Sequence, residues 1–367
     1  MQVATGLATH PSASADLAYQ AVSQAMQKAD LSIASSVLLY LTPDFARDPN
    51  PALHAAARAA NCTQIMGCSA AGIFTEQDWV LDAPAVVAMV FGSGVSLLPV
   101  HEPQEADLLL TLAAPSAVHT EWLEAGGRRF GGVSGDATGQ GPFKVWQGGR
   151  VIEQGRCEAA VHGAKGVVGI SQGVRVLSEH PYEISRSKGF DVLTLGMQSA
   201  MRVLEREVPL ELRSSQTIPL HLFMVGVTYG DPDTAVSDGR YRLAPIVSVN
   251  SEDGSVTLSQ VLSPGQHLFW ALRQPLAAQI DMRQTAEKLE QELACAPDFG
   301  LFFPCMGRGP WFYGGVDRDI ELLQHQFPDM PMIGFYGNGE FAPLNGSNQL
   351  FQYAGVLGLF AQGNTHV

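Results

Sequence analysis

Four short segments gather most of the side chains able to do chemistry. In Cys305-Met306-Gly307-Arg308-Gly309, glycines on both sides free the backbone around Arg308. Its guanidinium fork suits a carboxylate held through two parallel hydrogen bonds. Cys305 stands three residues from that cation, which would lower a thiol pKa and favour reaction. The competing reading is a buried Cys305 with Arg308 paired internally to Glu340 or Asp136. Tyr336-Gly337-Asn338-Gly339-Glu340 supplies an aromatic wall, an amide and a carboxylate, although Asn338 and its glycines also suffice to make a turn. Phe130-Gly131-Gly132-Val133-Ser134-Gly135-Asp136 is neither a dinucleotide fingerprint nor a phosphate loop. Gly132 and Ser134 leave room for a ligand there, and Asp136 either receives an ammonium or caps the turn. Gly67-Cys68-Ser69-Ala70-Ala71-Gly72 fails as a nucleophile elbow, because Ala71 replaces the second glycine. Its small residues, Gly67, Cys68 and Ser69 among them, let backbone N–H groups approach a ligand or a strand pack on a helix.

Other chemistry finds little support. Five cysteines, with no CxxC spacing, offer neither a zinc site nor a disulfide framework and fit a reducing compartment. The ten histidines are scattered, without HExxH or CxxCH, so no catalytic residue and no metal ligand is assigned. Trp311-Phe312-Tyr313 is a gate, a docking patch or, by its apolar character, a piece of core.

The elements that must carry these segments form a repeating unit. Residues 14–29 have helical apolar spacing, Ser35–Leu41 is an apolar strand, Pro51–Ala60 a helix with proline in its first turn, and Cys62–Met66 a strand running into the Gly67 loop. Asp298–Phe303, a helix over Asp319–Gln326 and Met330–Ile333 repeat the pattern, ending in the Gly334 loop. GCSAAGIF and GFYGNGEF share Gly, Gly and Phe at the same offsets, and a weaker third copy runs from Leu108–Leu112 past Glu121-Trp122-Leu123 to Phe130–Asp136. Strand–helix–strand of this length predicts parallel crossovers, whose loops gather at the carboxyl edge of a sheet, where ligands sit. Elsewhere the chain reads as antiparallel: strands at Lys144–Trp146, Gly155–His162, Gly166–Ser171, Val174–Leu177 and Tyr182–Ser187, a hairpin of Arg240–Val249 with Ser255–Leu262, and helices at Met197–Glu207 and Thr285–Ala294. The fold expected is α+β, two stacked mixed sheets flanked by helices in α-β-β-α layers, as two pseudo-symmetric halves, 1–188 and 189–367.

Composition bounds the partners. The 367 residues are 46% hydrophobic and 16% charged, enough for a full core and far from disorder. A net charge of −14 repels phosphate backbones, so nucleic acid is not an expected partner. Ala83–Val100 is uncharged, but Gly92-Ser93-Gly94 breaks it into two buried strands, so no membrane insertion is expected. The first residues lack a signal-peptide pattern, and the chain is expected in the cytoplasm.

MGCSAAGIF, the GGVSGD loop, YRLAPIVSVNSEDGS, CMGRGPWFYG and FPDMPMIGFYGNGEFAP together resemble the FIST family over nearly the whole chain, an N-terminal domain (1–188) followed by a C-terminal one (189–367). The resemblance implies a bacterial sensory module for a small ligand such as an amino acid, bound between the halves and relayed to a separate signalling protein. Some family members resemble haem-holding nitric-oxide sensors, and one relative is a ubiquitin-ligase adaptor. The expectation is therefore a non-enzymatic sensor without a cofactor. The alternatives are a haem-dependent gas sensor, a hydrolase using Cys305 or Cys68, and a protein-substrate adaptor, the last disfavoured because no F-box-like segment precedes the domain. In the sensor reading Arg308 takes a ligand carboxylate and Asp136 or Glu340 its ammonium.

Overall fold

The computed structural model describes residues 2–100, 102–213 and 219–362. They form two compact units, one made of the chain up to Ser171 and from Met282 onward, the other of Gln172–Asp281.

The first unit repeats one strand pattern. Its first copy contains β1 (Val3–Thr9), α1 (Ala15–Lys28), β2 (Ser36–Leu41), α2 (Asn50–Ala60), β3 (Ile65–Ser69), a hairpin β4 (Gly72–Thr75) with β5 (Trp79–Val80), and β6 (Ala85–Phe91). The second contains β7 (Ser96–Pro99), β8 (Leu108–Ala113), the single-turn α3 (Thr120–Leu123), β9 (Arg128–Val133), a hairpin β10 (Val145–Gln147) with β11 (Arg150–Val151), and β12 (Arg156–His162). The uncharged stretch is β6 and β7 around a turn, as the glycines predict. The two strands enter different sheets, and edge strand β7 leaves Leu98 exposed rather than buried. The third copy opens with β13 (Ala164–Ser171).

There the smaller unit is inserted: β14 (Val174–Val176), β15 (Tyr182–Lys188), β16 (Asp191–Leu195), β17 (Gln198–Ser199), α4 (Ala200–Glu207), β18 (Phe223–Thr228), α5 (Pro232–Ala235), β19 (Tyr241–Asn250), β20 (Ser255–Leu258) and β21 (His267–Arg273). β21 pairs with both β15 and β18, so the antiparallel strands close into a ring around Val192, Val225, Val256 and Trp270. Closure removes the unpaired edges that an open sheet would expose.

The third copy resumes with α6 (Pro275–Leu293), β22 (Phe299–Pro304), α7 (Arg318–Gln326), β23 (Met332–Tyr336), a hairpin β24 (Glu340–Leu344) with β25 (Ser347–Phe351), and β26 (Gly355–Gln362). Three sheets result, ordered β1-β6-β2-β3-β10-β11, β7-β12-β8-β9-β24-β25 and β13-β26-β22-β23-β4-β5. In each, the middle pair is parallel and every other pairing antiparallel. Each copy lends its hairpin to another copy's sheet, in a closed cycle of exchange.

The inner faces of all three sheets meet in one core. Leu38, Tyr40, Phe91, Leu110, Phe130, Phe299, Phe303 and Phe335 pack there, with Tyr40 and Phe335 ring centroids 4.9 Å apart. α1 and α2 cover the outside of the first sheet, while α6 and α7 belong to the cluster outside the third. These are the helix and sheet layers expected from the sequence, and the fold is α+β with mixed sheets. Among the described residues, the second sheet is covered on its outside by a small cluster with Trp122 and Leu123 of α3. That is why its sequence copy is the weakest: a four-residue helix carries almost no periodicity.

One glycine recurs by necessity. Gly67, Gly131 and Gly334 sit opposite Leu39, Thr111 and Phe302 in the three parallel pairs. A Cβ at these glycines would stand 1.7, 2.1 and 1.8 Å from the partner's carbonyl oxygen. No side chain fits, so each copy keeps its glycine.

Candidate functional site

At the carboxyl ends of the parallel strands the three copies again coincide. β2, β8 and β22 each run into a short 3₁₀ turn, Pro43–Phe45, Pro115–Ala117 and Met306–Arg308. The first residue after each second parallel strand donates its N–H back to the end of the first: Ala70 to Leu41 (2.9 Å), Ser134 to Ala113 (2.7 Å) and Gly337 to Pro304 (2.9 Å). These ties bring the four sequence loops into one junction. Ser69 and Ser134 hydroxyls lie 3.2 Å apart, Ser134 Oγ also donates to the Ser69 carbonyl, and the Lys144 N–H donates to Ser69 Oγ at 3.0 Å. Asn338 N–H donates to Val133 (3.0 Å) and Val133 N–H to Gly339 (2.8 Å). Cys305 and Gly337 form a parallel bridge.

Most of the junction is packed solid. Gly67, Cys68, Ser69 and Ser134 are buried. Burial, and the neighbouring Cys157, hold the Cys68 thiol well above its ordinary pKa, so it stays protonated. Gly132 lies against the Phe335 ring, where a Cβ would come within 2.8 Å. The Asp136 carboxylate folds its own loop: it accepts from Thr138 N–H and hydroxyl (both 3.1 Å), from Gly141 N–H (2.8 Å) and from Gly139 N–H. Burial opposes its ionisation, but these donors outweigh burial and lower its pKa.

Charge is concentrated in the third copy. Arg308 is buried, and its partner is Asp319 rather than Glu340 or Asp136: Nε and Nη2 reach the two carboxylate oxygens at 2.8 and 3.2 Å. Nη1 donates to the Ser171 carbonyl (2.7 Å) and Nη2 to Ser171 Oγ (2.8 Å). The fork is thus engaged by the protein itself. Asp317 caps α7 through Asp319 and Ile320 N–H groups, both at 3.0 Å, and its other oxygen accepts from Tyr336 OH at 2.7 Å. Burial, then the charge of Asp319, pushes Asp317 up to about 7. Glu340 is fully buried, and neither of its oxygens receives a well-aligned hydrogen bond. Burial raises its pKa well above the carboxylate range, opposed by the nearby Ala354 N–H, the Cys305 thiol and the charge of Arg308.

Beside this cluster a hollow of about 190 Å³ opens to solvent, lined by Trp79, Leu81, Asp82, Pro310, Trp311 and Gly315. Tyr336 ties hollow and cluster together, because its ring is wedged between Gly72 and Gly309, where added Cβ atoms would come within 2.8 and 2.9 Å of it. The core reading of the aromatic triplet is corrected for Trp311, which is 77% exposed, whereas Phe312 and Tyr313 are partly buried and packed edge to face. Sequence reasoning missed Ser171, Asp317, Asp319, Trp79 and Asp82. An aspartate just ahead of the DIELLQHQ helix was a readable cap signal. The two segments lining the hollow left no comparable local trace.

The lining of this hollow offers neither an imidazole nor a thiolate as an axial ligand for haem, which the family resemblance allows. Among the described residues no group of three or more His, Cys, Asp or Glu could hold a metal ion, and no helix is long and apolar enough to cross a membrane.

Comparison with known proteins places the chain. An uncharacterized protein of Mycobacterium bovis is 24% identical over 319 residues, 81% of this chain and 82% of its own length. An uncharacterized protein of Mycobacterium tuberculosis is 25% identical over 320 residues, 81% of this chain and 83% of its own. The FIST N domain model matches residues 35–198 and the FIST C domain model residues 200–343. The two matches run almost without a break from β2 of the first copy to β24 of the third, and on them the chain belongs to the FIST family.

Proposed function

We propose that this chain is a binding module that reads a small amine-bearing metabolite, an amino acid or a close relative, in the hollow beside Tyr336 and passes its state to a separate signalling protein. FIST domains are, as a class, sensory domains of signal transduction that bind small ligands. The observation that carries the assignment is the meeting of Trp79–Asp82 with Pro310–Gly315, segments more than 200 residues apart, around an open hollow next to a buried charged cluster. With Arg308 held by Asp319 and Ser171, the seat reads the ammonium end of the ligand and leaves its carboxylate to solvent. Pro310–Gly315 runs from the Arg308 turn into Asp317, the cap of α7. A ligand that draws this segment toward β5 shifts the α7 cap and its bond to Tyr336, which gives a partner something to read.

A thermal-shift screen of metabolites against the full chain tests this. A few related amines should raise the melting temperature, and Trp79→Ala should remove the response. A response unchanged in that variant, or none across the screen, would overturn the assignment.

A further inference from the structure

The ligand class follows from what surrounds the hollow. We infer that it holds a compact organic cation, an alkylammonium or quaternary ammonium head group, between the indoles of Trp79 and Trp311 with Asp82 as its counter-charge. The inference rests on the hollow being the ligand seat and adds which chemistry the seat selects.

Four observations converge. Trp311 keeps 77% of its surface in solvent, although nothing in a stable core requires a tryptophan there. It lines the hollow together with a second tryptophan, and indole faces are the best aromatic partners for a cation. The lining contains one ionisable side chain, the exposed Asp82, and no Lys, Arg or His. Arg308, two residues before Pro310, is bonded to Asp319 and Ser171. An anion would therefore meet a carboxylate and two electron-rich rings. A neutral apolar guest would leave Asp82 without a purpose in the lining, while a cation uses all three groups.

Size fits the class. A hollow of about 190 Å³ that opens to solvent has room for a small ammonium head group, with any longer tail left outside. The chain's −14 net charge also raises the local concentration of cations around the seat.

The test titrates the full chain with tetramethylammonium chloride, followed by tryptophan fluorescence, beside sodium chloride at equal ionic strength and 3,3-dimethyl-1-butanol as an uncharged probe of similar shape. A saturable change with tetramethylammonium alone is expected. Trp311→Ala should weaken it about tenfold or more, and Asp82→Asn about threefold to tenfold. Both residues are exposed, so an unchanged melting temperature in each variant separates lost binding from lost folding. No saturable change, equal binding of the neutral alcohol, or full affinity in Trp311→Ala would overturn the inference. The two readings fail separately. A Trp79-dependent metabolite that is neutral or anionic sinks the cation seat and leaves the sensory module standing. Saturable, Trp311-dependent tetramethylammonium binding with a silent metabolite screen upholds the seat and sinks the sensory assignment.

Discussion

The first and third copies carry the same backbone at the junction and fill it with opposite chemistry. In the first, the 3₁₀ turn ends on buried Phe45, and β3 ends at Ser69, followed by Ala70 and Ala71. In the third, the same turn ends on buried Arg308, and Tyr336 and Glu340 are buried beside Asp317 and Asp319. Burying several ionisable groups is weak as a stabilising device, because desolvation opposes the attraction gained. The difference teaches where the constraint lies. The strand–turn backbone and its glycine are common to all copies, whereas side chains around the turn are free to vary, and the charged set sits where the open hollow is.

The sharpest way to break the comparison is to remove what the copies share. Gly67→Ala, Gly131→Ala and Gly334→Ala each push a methyl into a carbonyl oxygen that cannot move without parting a parallel strand pair. Each should lose about 4 kcal/mol or more, or fail to yield folded protein. Urea unfolding measures it, and one tolerated substitution among the three would show that the copies are not equivalent.

The next largest effect belongs to the third copy. Arg308→Ala or Asp319→Ala leaves an uncompensated buried charge and should cost about 3–5 kcal/mol. Arg308→Met combined with Asp319→Leu should recover a large part of that loss. If the double variant is as unstable as the single ones, the pair is not the reason for the instability.

Acidity sharpens the contrast further, since the first copy's buried junction holds no carboxylate. Asp317 titrates near 7 in the fold and about 4 in the unfolded chain, so between these values the native state holds a proton that the unfolded state has lost. Its contribution is complete below about pH 4 and disappears as pH rises through 7. The melting temperature should therefore fall between pH 5 and 7.5, with Glu340 acting in the same direction. Asp317→Asn keeps an oxygen for the α7 cap and should flatten that fall by an amount on the order of a few kcal/mol. An identical slope in the variant would place the proton elsewhere.

Much of this frame was legible in the sequence. GCSAAGIF and GFYGNGEF align on Gly67 and Gly334 because a carbonyl contact forbids any other residue there, a local rule that sequence offset preserves. The hairpin exchange left no such trace. Whether β4 pairs with its own copy or with β23 depends on long-range register, which no short window encodes. Arg308 was legible as a probe of the site, but its partner was not, because Asp319 lies on an ordinary helix and Ser171 is 137 residues away. The Arg240–Leu262 hairpin was readable from its Glu252-Asp253-Gly254 turn, yet the ring it closes into was not, since β21 closes it by pairing with β15 and β18, strands far from it in sequence.

The smallest effect concerns the second copy, which departs from the others at one position. Counting from the shared glycine, Asp136 stands where the first and third copies have Gly72 and Gly339. There the chain does not enter its hairpin at once but loops to Val145, and the Asp136 carboxylate organises that loop through Thr138, Gly139 and Gly141. Because those donors depress its pKa, its stabilisation is present above the ordinary carboxyl value of about 4 and is lost as pH falls through the lower native value. This is opposite in sign to Asp317. Asp136→Ala should cost about 1 kcal/mol at pH 7, within the range for losing a charged acceptor in a loop, and less below pH 3. Hydrogen exchange at Gly139 and Gly141 should quicken in the variant while exchange in β9 does not. Equal slowing or quickening of both would mean that the carboxylate supports the strand itself, and the second copy would then differ from its siblings in more than its loop.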